Sequence, residues 1–285
     1  MNQLRIAIQK SGRLSEKSLE LISEAGISFN NGDRKLITKS SNFPVELLFL
    51  RDDDIPQYVA DGVADIGIVG ENVISEKNSK VKLVEKLGFA KCRLSIAIPK
   101  SVDYKDSSYL NGKKIATSYP NILTNFLKKN NIEAEIHEIS GSVEIAPGIG
   151  LADAIFDIVS SGSTLISNGL REVEIVMYSE AVIVGDLNLS VEKQKILDKL
   201  LFRTRSVQTA NRNKYVVLNA LAASVEKIVR VIPGMKSPTV VPLAKEGWVS
   251  IHSVIKESDF WDIIDQLQEC GAQGILVMPI EKMIV

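Results

Sequence analysis

Apolar positions along the chain switch between a two-residue and a three-to-four-residue period, as expected for strands alternating with helices. Leu4-Arg5-Ile6-Ala7-Ile8 predicts a short strand that runs straight into Gln9-Lys10-Ser11-Gly12-Arg13. A helix follows, with Leu14, Ser18, Leu21, Ile22 and Ala25 on one face and Gly26 as its stop. Residues 45–50 form a second strand ending at Arg51-Asp52-Asp53-Asp54; Asp54 is the expected N-cap of a helix with Pro56 in its first turn. Residues 64–70 are a third strand that continues into Glu71-Asn72, and 81–89 an apolar-rich fourth.

At residues 93–99 the pattern starts again, which predicts a second α/β lobe. It contains a strand at 114–117, a helix over 121–129 opened by Ser118-Tyr119-Pro120, and a strand at 133–139. A further helix is expected from a Ser142 cap in Gly141-Ser142-Val143-Glu144, then a buried strand at 154–159 and a helix at 164–168 stopped by Gly169. Strands at 173–179 and 181–186 are expected to return to the first lobe. Ser190 caps a long helix whose apolar side is Val191, Ile196, Leu197, Leu200, Leu201 and Val207. Beyond it the order is β-α-β-β-α-β, the split βαβ of ferredoxin-like domains. The expected organisation is residues 1–90 with 176–208 as lobe I, 91–175 as lobe II, and 209–285 as a C-terminal unit. The fold class is α/β, a two-lobed core followed by a ferredoxin-like (ACT-like) α+β domain. Two lobes joined by two crossings enclose a cleft, a layout that resembles periplasmic-type binding proteins.

Composition narrows the function. The 285 residues carry a formal net charge of −1, which leaves no bulk positive field for nucleic acid or an anionic membrane. Cys92 and Cys270 match no metal or CxxC spacing and read as reduced thiols; His137 and His252 form no cluster with them. Neither a secretory signal near Met1 nor an 18-residue apolar run is visible, so the expected location is cytoplasmic.

The stretch from Asp157 through Ser160, Ser161, Gly162, Ser163 and Thr164 is a small-residue turn between a strand and a helix N-terminus. Backbone amides and the helix dipole there favour a phosphate, and the preceding acid suits one that carries Mg²⁺ or a sugar hydroxyl. A bland Ser/Gly helix-capping loop has the same look. Lys10, Arg13 and Arg51 each lie where a strand ends, the place at which open α/β sheets bind ligands.

The turn is similar to the loop by which phosphoribosyltransferases hold phosphoribosyl pyrophosphate, and a wider set of segments resembles one family. These are 6–14, Arg51-Asp52-Asp53-Asp54-Ile55-Pro56, Asp65-Ile66-Gly67-Ile68-Val69-Gly70-Glu71-Asn72 and Cys92-Arg93-Leu94-Ser95. Ala116-Thr117-Ser118-Tyr119-Pro120, Gly141-Ser142-Val143-Glu144, Leu151-Ala152-Asp153-Ala154 through Gly169-Leu170, Pro233-Gly234 and Ser237-Pro238-Thr239 complete it. Together they resemble ATP phosphoribosyltransferase from Leu4 to Met283. The resemblance implies the first step of histidine biosynthesis, in which phosphoribosyl pyrophosphate and ATP give phosphoribosyl-ATP and pyrophosphate with Mg²⁺. It implies that Ser160, Ser161, Gly162, Ser163 and Thr164 hold the 5′-phosphate while Asp157, with Asp153, meets the ribose hydroxyls or the metal's water shell. Where the family often has Thr in this loop the chain has Ser161, which keeps the hydroxyl. Lys10, Arg13 and Arg51 would meet phosphates; Glu71, Asn72 and Tyr119 would line the nucleotide cleft. Of these, Asp157, Arg13 and Lys10 are the expected catalytic residues.

With its extra C-terminal unit the chain looks like the long form of that family, and the resemblance implies histidine inhibition, a dimer-to-hexamer homo-oligomer, a histidine site near Asn219, Thr239, Val254 and Gly274, and no partner resembling histidyl-tRNA synthetase. Two other readings compete: a two-lobed small-molecule binding protein without chemistry, and an amino-acid-sensing regulator using only the last domain.

Overall fold

The computed structural model describes residues 3–29 and 36–285. Residues 1–2 and 30–35, all inside the expected first lobe, lie outside them. The chain divides into two compact units. One comprises residues 1–20 and 27–196, the other 21–26 and 197–285.

The first unit holds two sheets. In chain order its elements are β1 (Leu4–Gln9), α1 (Arg13–Glu24, whose last turn belongs to the second unit), β2 (Ile37–Lys39), β3 (Val45–Leu50) and α2 (Ile55–Ala60). Then come β4 (Ile66–Gly70), α3 (Glu71–Lys77), β5 (Lys82–Lys86), β6 (Cys92–Pro99) and β7 (Lys114–Thr117). They are followed by α4 (Pro120–Lys129), β8 (Glu135–Glu138), β9 (Ala154–Val159), α5 (Ser163–Ser167), β10 (Leu170–Ser179) and β11 (Ala181–Gly185). The first sheet has the order β2-β3-β1-β4-β11-β5 and the second β10-β6-β9-β7-β8. Strands β3, β1 and β4 run parallel side by side, as do β9, β7 and β8. Ile6, Ala7 and Ile8 of β1 have no exposed surface, because a central parallel strand is covered on both faces. Ala7 packs with Ile55 and Val59 of α2, Val73 of α3 and Val182 and Val184 of β11. In the second sheet Leu94, Ile96, Ile98, Ile115 and Phe156 pack against Ile122, Leu123 and Leu127 of α4.

Several local expectations change. Strand β10 pairs with β6 along its length, to Ser179 against Cys92, so it stays in the second sheet. The chain returns to the first sheet at β11, after Glu180, and not at residue 176. Asp54 does not cap α2: Asp52–Asp54 form a 3₁₀ turn that feeds the helix directly, with no side-chain cap. No helix grows from Ser142, which sits at φ +51 with no capping bond, and Val143–Ile145 make only one 3₁₀ turn. With Pro147, Gly148 and Gly150 so close behind, a longer helix has no support.

At the end of the first unit Ser190 does receive the amide of Lys193, at 3.4 Å, ahead of α6 (Val191–Asn211), whose residues from Leu197 onward belong to the second unit. Val191, expected on the apolar side, is 68 % exposed, while Leu197, Leu200, Leu201 and Val207 are buried. After α6 come β12 (Asn213–Leu221), α7 (Val225–Val231), β13 (Thr239–Pro242), β14 (Trp248–Lys256), α8 (Phe260–Glu269) and β15 (Gln273–Pro279). All pairings are antiparallel in the order β13-β14-β12-β15, the ferredoxin-like arrangement. Val216, Leu218, Ala220, Val249, Ile251 and Ile255 pack with Ile228 and Leu267 of the two helices. Among the described residues no helix is long and apolar enough to cross a membrane.

Candidate active site

Because β3, β1 and β4 are parallel neighbours, their carboxyl ends form one rim. The register pairs Gln9 with Leu50, so Lys10 leaves β1 beside Arg51, which leaves β3; the Lys10 amide donates to the Leu50 carbonyl at 2.8 Å. Arg13 opens α1 one turn later. All three cations are exposed, and none has an ion-pair partner among the described residues. At the end of β4, Glu71 and Asn72 begin α3. Gly70 precedes them because the Asn72 amide group occupies the space that a side chain at residue 70 would need. Asn72 is buried: its Oδ1 accepts from Ser179 Oγ at 2.9 Å, and its Nδ2 donates to Tyr119 Oη at 3.4 Å. Glu71 is held by Lys86, 2.9 Å away.

The second sheet supplies the opposite side from the parallel ends of β7 and β9. Strand β7 ends at Thr117, and Tyr119 follows at the N-cap position of α4. Strand β9 ends in Ser160-Ser161-Gly162, where Gly162 takes φ +81 before α5 begins at Ser163. That positive φ is a conformation glycine adopts without a Cβ penalty, and it turns the loop back over the strand end. The Ser161 and Ser163 hydroxyls lie 3.0 Å apart, and the first amides of any helix have no acceptor within it. Arg93 on β6 grips the Glu172 carboxylate through Nε and Nη2 and donates from Nη1 to the Ser160 carbonyl at 3.1 Å. Ser95 adds its hydroxyl to Glu172, so a charged triad anchors the root of the loop.

Asp157 projects from β9 just below that loop. Burial pushes its carboxyl up to about 6, opposed by the Ile158 amide at 2.8 Å and reinforced by the charge of Glu144. The Tyr119 phenol is likewise raised by burial, and next by the charges of Asp157, Asp52 and Asp53. Tyr119 therefore stands between the carboxylates of the two sheets.

Asp153 does not join Asp157. It precedes β9 at the opposite end of the strand, and four residues of strand span about 13 Å. Its carboxylate accepts the Lys114 amide at 2.9 Å and approaches Lys113 at 3.9 Å, which fixes the start of β7. Among the described residues there is no group of three or more His, Cys, Asp or Glu able to hold a metal ion. At the separation set by the strand, Asp153 and Asp157 do not meet on one ion.

The ferredoxin-like domain has an open sheet face opposite its helices. Asn219, Thr239 and Val254 all point to it, by their registers against Ser250, His252 and Tyr215. Gly274, at φ +56, lies against Asn219: a Cβ there would meet Asn219 Nδ2 at 3.6 Å. Thr239 on β13 and Val254 on β14 make a second, diagonal pair, respectively two strands and one strand from Asn219 on β12. His252 on the same face has both ring nitrogens bonded, to Tyr215 Oη at 2.9 Å and Ser250 Oγ at 3.1 Å.

The family model described as ATP phosphoribosyltransferase matches residues 51–206, and that of its C-terminal domain matches 210–282. The chain belongs to this family. It is 60 % identical over 282 residues to an ATP phosphoribosyltransferase of Bacteroides thetaiotaomicron, covering 99 % of this chain and 100 % of that one. It is 61 % identical over 281 residues to one from Cytophaga hutchinsonii, covering 99 % and 98 %. Among solved structures, the ATP phosphoribosyl transferase (HisG:HisZ) complex from Thermotoga maritima matches at TM-score 0.62 and 28 % identity. The match takes in 99 % of that chain but 71 % of this one. The structure of Tv2483 bound to L-arginine matches at TM-score 0.52 and 12 % identity over 73 % of this chain and 85 % of that one, a likeness of fold alone.

Residues that sequence reasoning missed are Glu172, which orients Arg93, and Glu76, which is buried at the end of α3. A glutamate on a short polar helix gives no sequence signal of burial. Its only mark is the four-residue spacing from Asn72, which puts both on one helix face.

Proposed function

We propose that the chain transfers the phosphoribosyl group of phosphoribosyl pyrophosphate to N1 of ATP, releasing pyrophosphate, at the entry to histidine biosynthesis. The observation that carries this reading is the rim of three exposed cations, Lys10, Arg13 and Arg51, without an ion-pair partner among the described residues and on the same two-sheet unit as the Ser160–Thr164 loop. Two polyanions need such groups. Adenine N1 already has a nucleophilic lone pair, so the large contributions are orientation and neutralisation of the leaving pyrophosphate. The loop takes the 5′-phosphate. Asp157 faces the ribose hydroxyls, and its partly buried carboxylate stabilises positive charge that develops at C1. Lys10, Arg13 and Arg51 meet the phosphates; Asn72 and Tyr119 shape the adenine side, while Glu71 stays committed to Lys86. Among the described residues no cluster of acids, histidines or cysteines fits a resident metal, so Mg²⁺ is assigned to the pyrophosphate substrate.

The ferredoxin-like domain is assigned to histidine binding and to assembly of a homo-oligomer, up to a hexamer. The share of this chain outside the Thermotoga match, together with the C-terminal family match, supports a long form that needs no synthetase-like subunit. The reaction places the protein in the cytoplasm with its substrates.

Incubation with ATP, phosphoribosyl pyrophosphate and Mg²⁺ tests the reading through a new adenine-derived absorbance and release of pyrophosphate. ATP left unchanged under these conditions counts against it and restores the binding-protein reading. Arg13→Ala should raise the Michaelis constant of a phosphate-bearing substrate roughly tenfold or more and move Tm little. A charge-assisted contact to phosphate is worth about 1.5–3 kcal/mol, whereas an exposed cation adds about 0–1 kcal/mol to folding. Early melting with unchanged Michaelis constants would make Arg13 a structural residue. Asn219→Ala should weaken histidine binding by about tenfold, the worth of one good hydrogen bond, while turnover without histidine is kept. Calorimetry with histidine checks it, and unchanged affinity removes Asn219 from that site.

A further inference from the structure

Glu76 is a carboxylate with 6 % of its surface exposed, and no cation neutralises it among the described residues. Such a group is costly to bury unless hydrogen bonds replace its water. Here they come from the other sheet. Oε1 accepts the amide of Asn121 at 2.9 Å and Oε2 the amide of Ile122 at 3.0 Å, two first-turn amides of α4. The contact is reciprocated, since Asn121 Nδ2 donates to the Glu76 carbonyl at 3.0 Å. Helix α4 has no cap of its own: the N-cap position is Tyr119, followed by Pro120, and no side chain there bonds the helix. Glu76 supplies the cap from the first sheet's helix α3, where the positive end of the α4 dipole further favours a carboxylate.

One turn earlier on the same face of α3, Asn72 reaches Tyr119 Oη and Ser179, so α3 touches the Tyr119–Ile122 segment at three successive points. The Tyr119 backbone is fixed as well, its amide on Thr117 Oγ1 at 2.8 Å and its carbonyl receiving Leu123 at 3.1 Å. Whatever sets the first turn of α4 therefore sets where the Tyr119 ring stands beside Asp157.

We propose that Glu76 is a positioning residue for the transfer reaction. By capping α4 from the neighbouring sheet, it fixes Tyr119 and the separation of the nucleotide rim from the phosphoribosyl loop. The inference rests on the reaction assigned above, but it makes a demand of its own. Glu76→Gln keeps size and shape yet sets an amide NH₂ against one of two backbone N–H donors, so one bond is lost and a repulsive contact replaces it. In the full-length enzyme it should lower kcat/KM for ATP by at least about tenfold. The Michaelis constant for phosphoribosyl pyrophosphate should stay within about twofold, because the 160–164 loop is anchored by Arg93 and Glu172 instead. If Glu76 acts through Tyr119, the double variant Glu76→Gln/Tyr119→Phe should be no slower than the slower single variant, a non-additivity that general loosening does not produce. Should Glu76→Gln fail to fold, Asn121→Ala removes only the reciprocal bond and should show the same split at smaller amplitude. Multiplicative effects, or Glu76→Gln with wild-type constants for both substrates, would overturn the positioning role. A wild-type enzyme inactive in the same assay would instead overturn the assigned reaction.

Discussion

Gly162→Val should cost the protein its affinity for phosphoribosyl pyrophosphate, by roughly a hundredfold or more, while the two sheets remain folded. Space is not the objection: a Cβ at this position would meet Val159 Cγ1 at 3.9 Å, an ordinary contact. The backbone is. Gly162 sits at φ +81 and ψ 0, and holding a β-branched residue there costs of order 1–3 kcal/mol or more. The exposed loop can escape that strain by swinging φ negative, because among the described residues its long-range tether near the root is the Arg93 bond to the Ser160 carbonyl. Doing so rotates the following peptide and turns the amides at the start of α5 away from a bound phosphate. Two lost charge-assisted bonds, at about 1.5 kcal/mol each, give about the hundredfold stated. Calorimetric titration with phosphoribosyl pyrophosphate and Mg²⁺ measures it, and a melting curve on the same sample checks the fold. Undiminished affinity would remove the Ser160–Thr164 loop from the substrate site. Gly162→Ala should fall between, since alanine tolerates a positive φ better than valine does.

Most strands were legible because each has an apolar run of the right length between polar turns; β2, the three residues Ile37-Thr38-Lys39, has no such run and was not legible. The 45–50 run fixed β3 to the residue, and the β-α-β-β-α-β order of the last domain reads directly from its spacing. The rim was legible for a related reason. A cation directly after an apolar strand can only emerge at that strand's end, and Lys10 and Arg51 both do. What could not be read is pairing at a distance. The register that keeps β10 in the second sheet is decided against β6, more than 70 residues earlier, and β10's partly exposed pattern suits either sheet. Asp153 and Asp157 look alike in sequence, four residues apart; only the direction of β9 tells that one faces the loop and the other the start of β7. Glu76 and Glu172 acquire their roles solely from partners 45 and 79 residues away.

Asp157→Asn should make the protein more stable at neutral pH and far less active, and the stability gain should vanish in acid. Burial raises the Asp157 carboxyl from 3.8 to about 6, which means the folded state holds this proton more tightly than the unfolded chain does. Wild-type stability is therefore fully present below the unfolded value near 4, falls as pH rises through about 6, and levels off above it. Two pKa units at about 1.4 kcal/mol each put the penalty for the buried charge at roughly 3 kcal/mol above pH 7. Asparagine carries no charge to desolvate and can still accept the Ile158 amide through its carbonyl oxygen, so it escapes most of that penalty. Melting temperatures should then differ by several degrees at pH 8 and converge near pH 4. Activity should go the other way. A substrate whose reacting carbon becomes cation-like needs the negative charge that burial makes costly, and loss of one well-placed electrostatic group in a closed site costs about a hundredfold or more in kcat. A destabilising carboxylate retained at the site of transfer is the expected mark of a functional residue. Equal melting temperatures at pH 8 would show that this carboxylate is not buried at a cost, and an Asp157→Asn enzyme with normal turnover would show that it is not used in the reaction.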